Sequence, residues 1–284
     1  MTEYLVLQRQ DNVARNGKPY VNLRVRNAQD AFPITVWDCA PNMGPKAGQV
    51  ALFGPIKDQD GKKSIDSSYV SNIKDLKEDH PFWSLMPHPT KREDWLESIN
   101  HLLTYCTDEK LSAIIERYGT ALYDRYIDVP AATSVHHAYP GGLVTHTYQM
   151  LHMLEGLYPV LPYPVKVERC ILAILFHDFG KRQEYNREGE PQKDMFLLGH
   201  IFLSSHNLYN YLTSEGIEEE EVKRIVHCVL AHHGTREFGS PVTPCTQEAL
   251  IVSMVDDLSA KTDCMDSAGD MERVFALDTH VVKE

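Results

Sequence analysis

The ten residues Leu172-Ala173-Ile174-Leu175-Phe176-His177-Asp178-Phe179-Gly180-Lys181 constrain this chain more than any other stretch. A helix that is apolar on every face is buried all round. Its end therefore carries His177 and Asp178 into a domain interior, where polar groups are costly without partners. Neighbouring residues do not share a helix face. Their side chains can still converge on a pair of ions, one bonding a single ion and the other bridging both. A core helix closed by a polar pair and a glycine terminator would carry the same residues, so the rest of the chain must decide.

Histidine divides the chain. All 14 histidines lie between His80 and His280, and the first 79 residues contain none. Charge divides it at nearly the same place. Residues 1–74 hold ten Lys/Arg against seven Asp/Glu, and the remainder carries −15 of the net −12. A mildly basic front and a strongly acidic body imply two domains with different tasks, and an acidic domain can hold divalent cations. No run of about 18 apolar residues is present, so no membrane span is expected. Met1 to Asn12 lacks a basic segment followed by an apolar run, so no leader is expected. Six scattered cysteines without a C-x-x-C pair fit reduced thiols and a cytoplasmic protein.

The front reads as β structure. Tyr4–Leu7 precedes an Asn16-Gly17 turn. Tyr20 to Arg26 then alternates apolar and polar residues, the pattern of a half-buried strand. Further strands are expected at Phe32–Trp37, Val50–Ile56 and Ser64–Asp66, the last behind an Asp60-Gly61 turn. Five short strands in residues 1–75 predict a small OB-like β-barrel. Such barrels bind single strands through aromatics and a basic groove. Tyr20, Arg24 and Trp37 are the candidates, with Arg26, Lys62 and Lys63 beside them. Residues 76–93, rich in proline and charge, read as a linker.

From residue 94 to 284 the period becomes helical. Trp95, Ile99, Leu102 and Cys106 form one apolar face, and Leu111, Ile114, Ile115 and Tyr118 form the next behind a Thr107 N-cap. Helices are also expected at Leu143–Leu157, Val165–Phe176, Ile201–Leu212, Glu219–Ala231 and Thr246–Lys261. The fold class is thus α+β with two domains, a small β-barrel followed by an all-α helical bundle.

Within the bundle the potential ligands form an ordered series: His146, His177-Asp178, His200, His232-His233 and Asp256. Singly, His146, His200 and His232-His233 could be helix-end residues, whereas Asp256 inside an apolar helical run would be costly unless paired or bound to a cation. Spread over separate helices, they resemble the polyvalent His/carboxylate sites built inside bundles.

This series is similar to that of the HD-domain superfamily of metal-dependent phosphohydrolases. Pro130-Ala131-Ala132, His136-His137-Ala138-Tyr139, Gly141-Gly142-Leu143, His146-Thr147, His232-His233-Gly234 and Glu237-Phe238-Gly239-Ser240-Pro241 resemble the YhaM-type 3′–5′ exoribonucleases, which join an OB-fold to an HD domain. Arg15 to Tyr20 and Trp37-Asp38 resemble the OB half. Pro140 inside the His-Ala-Tyr word is a departure. So is Val255-Asp256-Asp257-Leu258-Ser259, where Ile-Asp-Asn-Leu-Asp is more familiar.

The resemblance implies two divalent ions, Mn²⁺ ahead of Fe²⁺, Zn²⁺, Mg²⁺ and Co²⁺. His146, His177 and Asp256 would hold one ion, His200 and His232 the other, and Asp178 would bridge them. Asp178 and Lys181 are the expected catalytic residues, Lys181 binding the phosphate or protonating the leaving 3′-oxygen. His136, His137 and the Gly141-Gly142 amides are expected to face the terminal nucleotide. His233 stands either as a ligand in place of His232 or as a phosphate contact. The implied partner is single-stranded RNA, with DNA as the other candidate, and an oligomer is left open. Two rival functions follow from the same residues: a phosphodiesterase or nucleotidase for small or cyclic nucleotides, and a non-catalytic strand binder with a structural metal.

Overall fold

Alternation in the first 75 residues becomes strands whose inward faces form one core. The computed structural model describes residues 1–132, 136–186, 191–274 and 277–283. Strands β1 (Thr2–Val13), β2 (Pro19–Arg26), β3 (Ala31–Trp37), β4 (Gln49–Phe53), β5 (Lys57–Gln59), β6 (Lys62–Asp66) and β7 (Val70–Asp75) make one sheet. Their order is β5-β6-β3-β2-β1-β4-β7, curled into an OB-like half-barrel. Val21, Leu23 and Val25 of β2 and Ile34 and Val36 of β3 are buried at every second position and pack with Tyr4, Phe53 and Ile65. The sequence suggested five strands. The two unforeseen ones, β5 and β7, are short or almost wholly exposed, so they carry little apolar alternation to detect.

The helices are α1 (Arg92–Leu103), α2 (Glu109–Tyr126), α3 (Gly142–Leu157), α4 (Val167–Phe176), α5 (Lys181–Glu184), α6 (Lys193–Leu197), α7 (His200–Ser214), α8 (Glu219–Leu230) and α9 (Gln247–Ser267). Asp108, not Thr107, caps α2: its carboxylate accepts from the amides of Lys110 and Leu111, while the Thr107 amide donates to Glu168. Every residue of α4 except Arg169 is buried. Each large apolar side chain there contributes roughly 1.5–3 kcal/mol, so α4 can anchor a polar turn at its end.

Two compact units make up the chain, Met1–His88 with Cys264–Glu284, and Pro89–Asp263. The C-terminal segment, which its sequence left with the helical body, thus lies in the first unit. Arg24 explains the placement: it pairs with both carboxylate oxygens of Glu272 at 2.9 Å and donates to the Ser267 carbonyl. A short hairpin of β8 (Arg273–Val274) and β9 (Thr279–His280) completes that segment.

Candidate metal centre

The apolar run of α4 delivers its end where the sequence implied. His177 and Asp178 are almost fully buried, and the chain then turns through Gly180. Gly180 is required there for space rather than for an unusual dihedral, since its backbone is right-handed helical. A Cβ on it would lie 2.5 Å from the His200 carbonyl oxygen. Its amide also donates to the Ser204 hydroxyl at 2.8 Å. The close approach sets the first turn of α7, and therefore His200, against the His177-Asp178 turn.

Two donor groups result. His146 of α3, His177 and Asp256 of α9 offer ligand atoms within 4.8 Å of one another, and so do His200, His232 and His233. Asp178 lies between the groups with one oxygen toward each. Its Oδ2 is 3.3 Å from His177 Nε2, while its Oδ1 is 3.5 Å from His200 Nε2 and 3.9 Å from His232 Nε2. A third close group, His136, His137 and His146, adjoins the first.

Hydrogen bonds at the far side of each ring aim the ligand atoms inward. His177 Nδ1 donates to the Ile174 carbonyl at 2.7 Å, and His232 Nδ1 to the Val229 carbonyl at 2.6 Å. Ser259 gives its hydroxyl hydrogen to Gln149 at 2.8 Å and so accepts from His146 Nδ1 at 2.9 Å. Glu184 accepts the His200 amide at 2.5 Å and faces His200 Nδ1 at 3.3 Å. His233 Nδ1 donates to the Phe238 carbonyl at 2.8 Å. Holding each Nδ1 in this way leaves Nε2 to present a lone pair.

These residues fit divalent metal. His177 Nε2, Asp178 Oδ1, His200 Nε2 and His232 Nε2 are buried and without a hydrogen-bond partner. Four orphaned polar atoms in one place are unusual, and their convergence suits cations. Burial opposes ionisation of Asp178, yet Lys181 and His177 hold its carboxyl well below the usual range. Burial likewise opposes ionisation of Asp256, but the contact with His146 outweighs it and the carboxyl stays well below the usual range. Burial, then neighbouring His233, pushes the His232 imidazole far down, so that it stays neutral as a ligand must. His177 goes the other way. Burial acts against its proton, but Asp178 and Asp256 raise its pKa.

Lys181 is buried, not solvated. Its Nζ is 2.6 Å from Asp178 Oδ2 and also donates to the Ala131 carbonyl. Both Lys181 and the His200/His233 group line a cavity of about 790 Å³. His136 lines it too, and burial with the neighbouring His146 lowers its pKa to about 3. His137 lies deeper, 1% exposed, its amide bonded to Asp263 at 2.7 Å.

The structure gives the glycine pair a steric role. The Gly142 amide is already donated to the Tyr139 carbonyl at 2.8 Å, and a Cβ there would lie 1.9 Å from the His137 carbonyl oxygen. A Cβ on Gly141, whose φ is +80°, would meet Pro89 at 2.3 Å. Both residues serve packing at the start of α3. Arg24 is likewise engaged by Glu272 and is not a free cation for a strand. Tyr20 and Trp37, cross-strand partners on β2 and β3, lie 5.0 Å apart with Trp37 45% exposed. Glu184 and Ser259 were not anticipated. Each lies three residues beyond a site residue (Lys181, Asp256), a helical spacing that puts them on one face.

Residues 143–261 match the family described as HD domain. The helical bundle of this chain thus matches an HD domain. It is also similar over nearly all its length to two proteins named 3′-5′ exoribonuclease YhaM. The protein of Bacillus pumilus (strain SAFR-032) is 27% identical over 290 residues, covering 94% of this chain and 88% of the relative. That of Halalkalibacterium halodurans is 28% identical over 285 residues, covering 95% and 85%. No solved structure matches the chain. An HD domain implies divalent metal binding, and with these relatives it supports a metal-dependent phosphohydrolase. Among the described residues no helix is long and apolar enough to cross a membrane.

Proposed function

We propose that the protein is a metal-dependent 3′–5′ exonuclease that shortens single-stranded RNA, with DNA as the second candidate substrate, to nucleoside 5′-monophosphates in the cytoplasm. One observation carries the reading: two donor groups share Asp178, and His200 and His233 of the second line an open cavity beside Lys181. The direction of attack and the RNA substrate rest on the named activity of the two relatives.

His146, His177 and Asp256 would hold one ion, His200 and His232 the second, and Asp178 both. His233 joins the second group in space and is proposed as a further ligand there. Mixed imidazole and carboxylate donors favour Mn²⁺, Fe²⁺ or Zn²⁺ over Ca²⁺, and we assign Mn²⁺. When bound, such a pair supplies hydroxide at neutral pH and a positive clamp on the phosphate. The rest falls to the chain itself. Ile174, Val229, Ser259 and Glu184 fix the imidazoles, which keeps the donors from reorganising during turnover. Asp178 orients the Lys181 ammonium at 2.6 Å, and Lys181 contacts the scissile phosphate or gives a proton to the leaving 3′-oxygen. In the half-barrel, Trp37 beside Tyr20 offers a stacking surface for bases farther along the strand.

The test is incubation with Mn²⁺ and a 5′-labelled single-stranded oligonucleotide in matched RNA and DNA forms. A ladder shortening from the 3′ end, with 5′-mononucleotide product, supports the proposal. An intact oligomer beside a hydrolysed small or cyclic nucleotide refutes it in favour of the small-substrate phosphodiesterase. Tight strand binding without hydrolysis under any divalent ion refutes it in favour of a binding protein.

A further inference from the structure

The cavity over the metal centre has a polar floor and a wall of a different character. Lys181, His200 and His233 lie on its floor, whereas Phe202 and Phe238 line it while remaining 51% and 67% exposed. Phe53, Phe176 and Phe179 are buried in the cores, and Phe196, 77% exposed, lies outside the cavity lining. Single exposed rings are ordinary, but two that line one cavity beside a cluster of donors make an apolar surface suited to a flat ligand.

The Phe202 ring and the backbone that carries Phe238 are held in place. Phe202 lies on the first turn of α7, two residues after His200, and stacks on His206 at 5.7 Å with an interplanar angle of 10°. Phe238 belongs to a tight turn in which Gly239 donates to the Arg236 carbonyl and Ser240 to that of Thr235. The Phe238 carbonyl accepts from His233 Nδ1, so the backbone that carries this ring also orients a donor of the second group. Each aromatic is thereby tied to an imidazole of the centre by a few covalent or hydrogen bonds.

Resting on the exonuclease reading above, the geometry points to a nucleobase subsite: Phe202 and Phe238 bind the base of the 3′-terminal nucleotide while the floor takes its phosphate. The charge fits, because an anionic group meets the ammonium and the imidazole group as a flat apolar one meets the rings. Stacking on phenyl faces accepts all four bases, since every base offers a π-face. The subsite therefore raises affinity for a terminal nucleotide without selecting sequence, as an enzyme that removes residues one after another requires.

The test compares strands ending in an ordinary nucleotide with strands ending in an abasic one, for the wild type and for Phe202→Leu and Phe238→Leu. Both side chains are largely exposed, so leucine leaves the cores intact, and unchanged metal content with unchanged circular dichroism verifies the fold. The wild type should prefer the base-bearing end by on the order of 10-fold in KM. Either variant should bring that ratio toward one. A second readout uses a 3′-terminal 2-aminopurine behind a phosphorothioate linkage that slows cleavage. Its fluorescence should be quenched by the wild type and much less by the variants. Equal handling of abasic and base-bearing ends by the wild type, or full quenching by both variants, overturns the subsite. Quenching that depends on the two rings, with no strand shortened under any metal, upholds the subsite and defeats the exonuclease reading. Neither quenching nor shortening defeats both.

Discussion

Glu184 separates two roles that one carboxylate performs. It is 3% exposed, accepts the amide of His200 at the start of α7, and faces His200 Nδ1 at 3.3 Å. Replacing it with glutamine keeps the shape and an oxygen for the amide but removes the charge behind the imidazole. Outer partners of this kind are worth about 10–100-fold in metal affinity, which corresponds to about 1.4–2.7 kcal/mol. Replacing it with alanine also removes the acceptor at the helix N-terminus, which costs a further ~0.5–2 kcal/mol of folding stability. E184Q should therefore weaken Mn²⁺ binding with little change in the urea midpoint of the metal-stripped protein. E184A should do both. Titration against a competing fluorescent chelator measures the first quantity and equilibrium denaturation the second. Metal affinity in E184Q within twofold of wild type would refute the claim that Glu184 supports the second ion through His200.

Three further outcomes follow. Asp178→Asn should lower kcat/KM on a labelled oligonucleotide by more than the roughly 10–100-fold expected of an outer partner, because it turns one of the two oxygens that face the donor groups into an NH2 and removes the charge they share. Helical circular dichroism should persist, and turnover near the wild-type rate would exclude Asp178 as the shared ligand. Gly142→Ala places a Cβ 1.9 Å from a backbone oxygen that no rotamer change can move. Its cost should reach or exceed about 3 kcal/mol, the top of the usual overpacking range, and a urea-derived loss under 1 kcal/mol would contradict the packing role. Glu221 bonds Arg169 at 2.6 Å and Lys166 at 3.1 Å. Burial opposes its charge, but these cations lower its carboxyl below the ordinary 4.5. A depressed folded value stabilises fully above the unfolded one and less as pH falls through the folded one. The stability gap between wild type and Glu221→Gln should thus be widest near neutrality and close below about pH 4. A gap independent of pH would show that the pair contributes nothing.

The sequence alone determined the architecture, and it did so through period. Alternation at Val21, Leu23 and Val25 and the apolar faces of α1 and α2 are local consequences of which side of an element meets a core. Elements that bury little, such as β5 and β7, left no such trace. The ligand series was legible because helix ends and apolar runs frame His146, His177, Asp178, His200, His232 and Asp256 one by one. Which atoms meet was a matter for tertiary structure. His146 and Asp256 are 110 residues apart, and only the packing of α3 against α9 brings Nε2 to 3.0 Å from Oδ1. The glycines show the same division. Sequence marked Gly142 and Gly180 as special, but their neighbours in space, the carbonyls of His137 and His200, decided that both make room for backbone. Phe202 was an ordinary apolar letter in the chain, and Phe238 stood out only as part of the Glu237–Pro241 word. Their exposure beside a polar cavity floor is a property of the folded surface, which no local pattern encodes.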